Sequence, residues 1–238
     1  MRLPISRVHK GERGNEIVEF ALVISFFAPI LLGTFVVGMN IIKSIAVNHM
    51  VRDMASMYIH GADFSQSGYQ QLALRLGAGV NLKAPVFPNG ANSVQSNTGS
   101  AGDGLIWITK VMYVGATSDP NCVSVSGGNC ANHDKFVYLQ RIVFGNGTLT
   151  SQRQSTLGDA SQATIGSSGL VQNYLTDTGA QLSGAAQTQM LNLWQTNLNG
   201  QAPLTDGDVI YVAEGYFQSP SLSISSVSGQ GVYARYFF

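Results

Sequence analysis

From Phe20 to Ile42 the chain runs for 23 residues without a formal charge, FALVISFFAPILLGTFVVGMNII. At about 1.5 Å per helical residue such a run reaches about 34 Å, enough to cross a hydrocarbon core of about 30 Å. The next apolar run, Leu105–Ala116, is interrupted by Lys110 and is too short. The sequence therefore predicts one membrane-spanning helix. A secretory signal peptide is the natural rival, but its apolar region extends only about 7–15 residues and ends at a small-residue cleavage site. Here Lys43 follows the run and no Ala-x-Ala triplet is present.

Charge orients the span. Residues 1–14 carry Arg2, Arg7, Lys10 and Arg13 against Glu12, whereas the remainder holds nine basic and twelve acidic residues. A basic flank stays on the cytoplasmic side, so the residues after the span are expected outside the inner membrane of a bacterium. Composition points the same way. Charged residues make up 11% of the chain, against about 25% in ordinary soluble domains. That scarcity, with many Gly, Ser, Asn and Gln, suits an envelope or extracellular surface. No basic patch offers itself to phosphates, so a nucleic-acid partner is not expected.

Within the span, Pro29 removes one helical hydrogen bond and predicts a bend. Gly33 and Gly38 would let another helix approach, although their spacing is not the four-residue dimer pattern.

The stretch at the start of the span is the most specific. In Arg13-Gly14-Asn15-Glu16-Ile17-Val18-Glu19-Phe20 a glycine closes a basic leader, a carboxylate follows five residues later, and an aromatic comes next. A carboxylate at the edge of hydrocarbon is costly unless it finds a partner or lies among headgroups. The combination resembles the cleavage and assembly site of type IVb/Flp prepilins. With Ala21-Leu22-Val23, Leu31-Leu32-Gly33 and Gly38, it is similar to the TadE-like family of Tad pilus pseudopilins over about residues 11–62. The resemblance departs at the residues flanking Pro29, and at Val37-Gly38-Met39, which lacks the family's usual charged neighbour.

The resemblance implies cutting by a prepilin peptidase after Gly14, which leaves Asn15 as the new N-terminus. That cut would remove the basic leader and create an α-amino group about one helical turn from Glu19. In the family picture the carboxylate meets the amine of a neighbouring subunit. Because an unpaired charge in a low-dielectric stem costs several kcal/mol, that pairing would select axial register. Gly11 with Glu16 offers a second register of the same spacing, without the aromatic and with Arg13 retained.

After the span, Val47, Met50, Val51, Met54, Met57 and Tyr58 recur at helical spacing, and Gly61 is a plausible stop. A stem over residues 15–62 is expected, about 70 Å long, with an outer domain over 63–238. Asp63-Phe64-Ser65-Gln66-Ser67 matches the Asp-x-Ser-x-Ser metal pattern of von Willebrand A domains, but it follows a helix rather than a buried strand. Ser65 or Ser67 is instead expected to cap a short helix over Tyr69–Leu76. Residues 88–104 read as a loop. Leu105–Val114, Phe136–Phe144, Asp208–Phe217 and Val232–Phe238 read as strands, Asn146-Gly147 as a turn, and Gln187–Leu198 as a helix. The expected fold is α+β, with the long N-terminal helix packed on a mostly antiparallel sheet.

Cys122 and Cys130 are the only cysteines. Outside the inner membrane they are expected to form a disulfide, worth about 2–3 kcal/mol on the loop-entropy account. A metal site adding His133 would lack an obvious fourth ligand. No nucleophile elbow, HExxH or P-loop occurs, and Asp206 and Asp208 suit a turn before a strand. No catalytic residue and no cofactor is expected.

The expected role is that of a minor pseudopilin in Tad/Flp pilus assembly, since the chain is far longer than the near-bare stem of a major Flp pilin. Its partners would be the prepilin peptidase, other pilins and pseudopilins, the inner-membrane assembly platform and membrane lipid. An unprocessed anchor displaying an adhesive or ligand-binding domain is the alternative, and a tethered envelope enzyme a third.

Overall fold

The computed structural model describes residues 12–83, 86–87, 102–125, 127, 130–160, 162–166, 168–197, 203–218 and 231–238. Most of the expected leader, at 1–11, and most of the expected loop, at 88–101, fall outside these residues. The chain forms two compact units, Met1–Ile42 and Lys43–Phe238, and the division falls inside its first helix.

That helix, α1, runs Glu12–Ile59 and contains Pro29. Among the described residues it is the one helix long and apolar enough to cross a membrane. Large apolar side chains stand exposed along it from Ile17 to Ile45, with Phe20, Phe26, Phe27 and Phe35 each at least 60% exposed. Two of the three hydroxyls in this stretch are turned back on their own helix. Ser25 Oγ donates to the Leu22 carbonyl at 2.7 Å and Thr34 Oγ1 to that of Leu31 at 2.9 Å, which spares both an unpaired polar group.

α1 stops where Gly61 takes up φ +89°, a left-handed conformation that favours glycine. The Ala62 N–H donates to the Met57 carbonyl at 2.9 Å and the Gly61 N–H to that of Tyr58 at 3.1 Å. This is the Schellman pattern of paired bonds that satisfies the last carbonyls of a helix.

α2 follows at Ser67–Leu76, with Gln66 at the N-cap and no side-chain capping bond. The expected cap by Ser65 or Ser67 is therefore corrected. The turn is held by Asp63, whose carboxylate accepts the Ser65 N–H at 2.9 Å, and by Gln70, whose amide donates to the carbonyls of Phe64 and Ser65. The Ser65 hydroxyl is itself turned to the Asp63 carboxylate, which takes it away from the start of the helix.

The sheet has the order β1-β3-β2-β4-β5, with every neighbouring pair antiparallel. Four long strands are β2 (Gly104–Val114), β3 (Lys135–Gly145), β4 (Val209–Phe217) and β5 (Val232–Phe237); β1 is the two-residue Val86–Phe87. β2 lies at the centre, with Trp107 opposite Val143 on one side and Glu214 on the other. Between Lys110 and Val111 the register shifts, because Gln140 and Tyr138 face consecutive residues and Leu139 is left over as a bulge. Two short helices lie outside the sheet, α3 at Pro120–Val123 and α4 at Gly184–Asn197. The turn expected at Asn146-Gly147 is present. Asn146 caps a 3-10 turn over Gly147–Ser151 by accepting from Thr148 N–H.

Alternation along the strands divides the core. Ile106, Ile108, Ile142, Phe144, Ala213 and Ala234 share one buried cluster with Val47, Met50, Val51, Met54, Ala55 and Tyr58. Leu105, Trp107, Val143 and Tyr216 gather with Leu149 in another. A third joins Val111, Phe136, Tyr138 and Val212 to Leu157, Leu182, Ala186 and Met190. In the first cluster, Tyr58 donates its hydroxyl to Gln140 Oε1 at 2.6 Å and meets the Tyr211 ring edge-on at 5.2 Å.

Gly215 makes that first cluster close-packed, since a Cβ there would run into the γ-methyl of Val51. Gly215→Ala is expected to cost about 1–3 kcal/mol, the range for overpacking a filled core. Thermal unfolding in detergent should show the loss, and Val51→Ala in the same chain should recover part of it through coupling of the two sites.

Candidate functional site

The residues singled out at the start of α1 share one regular helix. The Gly14–Asn15 peptide lies within it, because the helix begins at Glu12. Glu16, Glu19 and Phe20 are exposed, Phe20 at 66%. At spacing i and i+3, Glu16 and Glu19 stand on the same side of the helix. Gly11 of the competing register lies outside the described residues.

A second polar constellation, which the sequence did not single out, sits inside the C-terminal unit. Glu214, on β4, is fully buried. Four neutral donors converge on its carboxylate: Ser155 Oγ, Thr156 Oγ1, the Thr156 N–H at 2.9 Å, and the Tyr233 hydroxyl. Arg235 lies directly across the β4–β5 ladder and reaches past the carboxylate to donate to Thr156 Oγ1 at 2.7 Å. Arg153 lies over the Tyr233 ring, 4.2 Å from its centroid. This many hydrogen bonds offset the cost of taking so polar a side chain out of water.

Arg141 is the other buried ionisable side chain, at 2% exposure. Its Nη2 donates to the Gly158 carbonyl at 2.9 Å and its Nη1 makes a long 3.4 Å contact with Thr109 Oγ1, while Nε has no hydrogen-bond partner among the described residues. Glu214 and Arg141 thus fasten the same irregular segment, residues 155–158, to the sheet. Arg141 is spent on the Gly158 carbonyl, Glu214 on three hydroxyls and one backbone N–H, and the Ser155 hydroxyl has no histidine beside it among its described hydrogen-bond partners.

Cys122 and Cys130 lie at disulfide distance, with Cα atoms 5.2 Å apart. Asp206 braces the same region: its carboxylate accepts from the Gly115 N–H at 2.8 Å, the Asn121 N–H at 2.9 Å and the Asn121 side-chain amide at 3.0 Å. Burial alone would raise this carboxyl, but the three hydrogen bonds outweigh it and hold the group below the usual carboxylate range. Asp63 is likewise lowered, first by the Ser65 hydroxyl. Among the described residues no group of three or more His, Cys, Asp or Glu is placed to hold a metal ion.

Comparison with protein-family models, with curated proteins and with solved structures finds no match for the chain.

Removing the acceptor at the centre of the buried network should be severe. Glu214→Ala leaves three hydroxyls and an N–H without their partner, and unsatisfied buried groups cost about 1–3 kcal/mol each. A loss of about 3 kcal/mol or more is expected in chemical unfolding of the full chain.

Alkali should also weaken the C-terminal unit. Burial, then Tyr211 and Asp63, pushes the Tyr58 hydroxyl far above its ordinary value, and burial with Glu214 does the same to Tyr233. A raised folded-state value contributes stability that is complete below the unfolded value of about 10 and disappears as pH climbs toward the folded one. Unfolding temperature is therefore expected to fall above about pH 10, and Tyr58→Phe should make that fall shallower.

Proposed function

We propose that this chain is a minor pilin-like subunit of a bacterial Tad/Flp-type system, cut after Gly14 by a prepilin peptidase and held in the inner membrane by α1 until it assembles. The observation that carries the reading is the order Gly14, then Glu19-Phe20, then a long exposed apolar helix. A membrane accounts for such a surface before assembly, and the stems of other pilins and pseudopilins would account for it afterwards. Glu19 would then meet the new α-amino group of a neighbour, a pairing that low dielectric makes selective.

In this reading the second half of α1 docks on the sheet through the cluster around Val51 and Tyr58. The C-terminal unit then stands in the periplasm or on the outside of a filament. The role is structural and needs no cofactor. The buried Glu214 and Arg141 support that reading, because both are occupied in tying residues 155–158 to the sheet. Partners follow from the same logic: the peptidase, sister subunits and an inner-membrane assembly platform.

Intact mass of the protein taken from its native envelope tests the first step. A chain starting at Asn15 is expected, and retention of Met1–Gly14 in the working protein would favour an unprocessed anchor that displays a binding domain. Glu19→Ala should still be cut yet fail to support piliation; normal filaments from that variant would sink the assembly role.

A further inference from the structure

The two cysteines of the C-terminal unit are buried in a cluster with side chains that arrive much later in sequence. Cys122 is 2% exposed and Cys130 6%, and both belong to the cluster containing Leu157, Leu182, Ile210 and Val212. α3, which carries Cys122, is tied down by Asp206 through Asn121, 85 positions earlier. Beyond Cys130, Asn132 is fully buried. Its amide donates to the carbonyls of Tyr174 at 2.6 Å and Asp177 at 2.7 Å, and its Oδ1 accepts from Gln181 Nε2 at 2.7 Å. Two long-range locks therefore flank the cysteine pair, one at Asn121 and one at Asn132.

Thiol–disulfide exchange is a displacement, so the attacking thiolate must reach a sulfur. Buried cysteines flanked by two such locks give it no approach without local opening. We infer that the Cys122–Cys130 bond is installed by a dithiol–disulfide oxidoreductase acting before residues 174–181 and the Asp206 turn have closed, and that the finished domain keeps the bond out of reach of thiols. With two cysteines in all, the chain holds no second disulfide to serve as oxidant.

The chemistry balances through a mixed disulfide. The thiolate of one cysteine attacks the disulfide of the oxidoreductase, forming one S–S bond and expelling one enzyme thiolate. The second cysteine, as its thiolate, then attacks the substrate sulfur of that mixed bond and expels the other enzyme thiolate. Two electrons pass to the enzyme, which leaves as a dithiol with the two protons given up by the cysteines. The order of events assigned here is independent of the pilin reading, since it depends only on the C-terminal unit.

Dithiothreitol supplies the test, with maleimide tagging of freed thiols read by mass on the full chain in detergent. Reduction of the folded, oxidised protein is expected to run about tenfold or more slower than in urea, because it must wait for local opening. In the reverse direction, a chain reduced in urea and kept there should be oxidised by glutathione disulfide about tenfold or more faster than the same chain after dilution into refolding buffer. Asp206→Asn keeps the shape of the side chain but weakens one lock, and should speed reduction of the folded protein. Equal rates in buffer and urea would overturn the inference. So would protection that is unchanged in Asp206→Asn, because the turn would then be no cover.

Discussion

β2 is the strand on which the C-terminal unit depends. Its backbone is paired along one edge with β3 and along the other with β4, over nearly its whole length. A strand so placed has no free polar backbone to satisfy and both faces to bury, which explains its near-continuous apolar sequence, LIWITKVMYV. It also fixes the position of everything else. The residues that alternate along it divide the core into a cluster shared with Val51 and Tyr58 and another shared with Leu149, and no one-residue slip could keep both.

How far this was legible in the sequence follows from how local each signal is. The four long strands stand out because β-branched and aromatic residues cluster between Gly and Asn turns, and their observed limits lie within a residue of those read from sequence. α1 and its stop at Gly61 were equally plain, one from hydropathy and the other from the glycine's tolerance of positive φ. α4 was visible only in part, because a helix rich in Gln and Ala has a weak apolar stripe; it starts three residues earlier than its pattern suggests. Asp63 displaced Ser65 and Ser67 as the organiser of the α2 turn, a competition between neighbouring side chains that composition alone does not settle.

The Glu214 network was not legible at all. A glutamate in the run VAEGYF reads as an ordinary interruption of an apolar strand, and its main partners, Ser155 and Thr156, lie 59 and 58 residues away. Nothing in residues 152–160 marks them as lying against a sheet. The same holds for Arg141, whose partners at Thr109 and Gly158 come from two different parts of the chain. Buried polar constellations are built by tertiary contacts, so they escape pattern reading that recovers helices and strands.

The flank of β3 away from β2 carries one more consequence. It is occupied by β1 at Val143 and Phe144, by single bridges to Leu170 at Gln140 and to Gln181 at Val137, and by the Val171 N–H on the carbonyl of the bulged Leu139. Irregular chain thus consumes the hydrogen-bonding groups that a bare margin would offer as a template to any passing extended segment. Growth of the sheet by strand addition is closed on that side, and whatever meets this flank of the domain meets loops and side chains rather than an open row of amides and carbonyls.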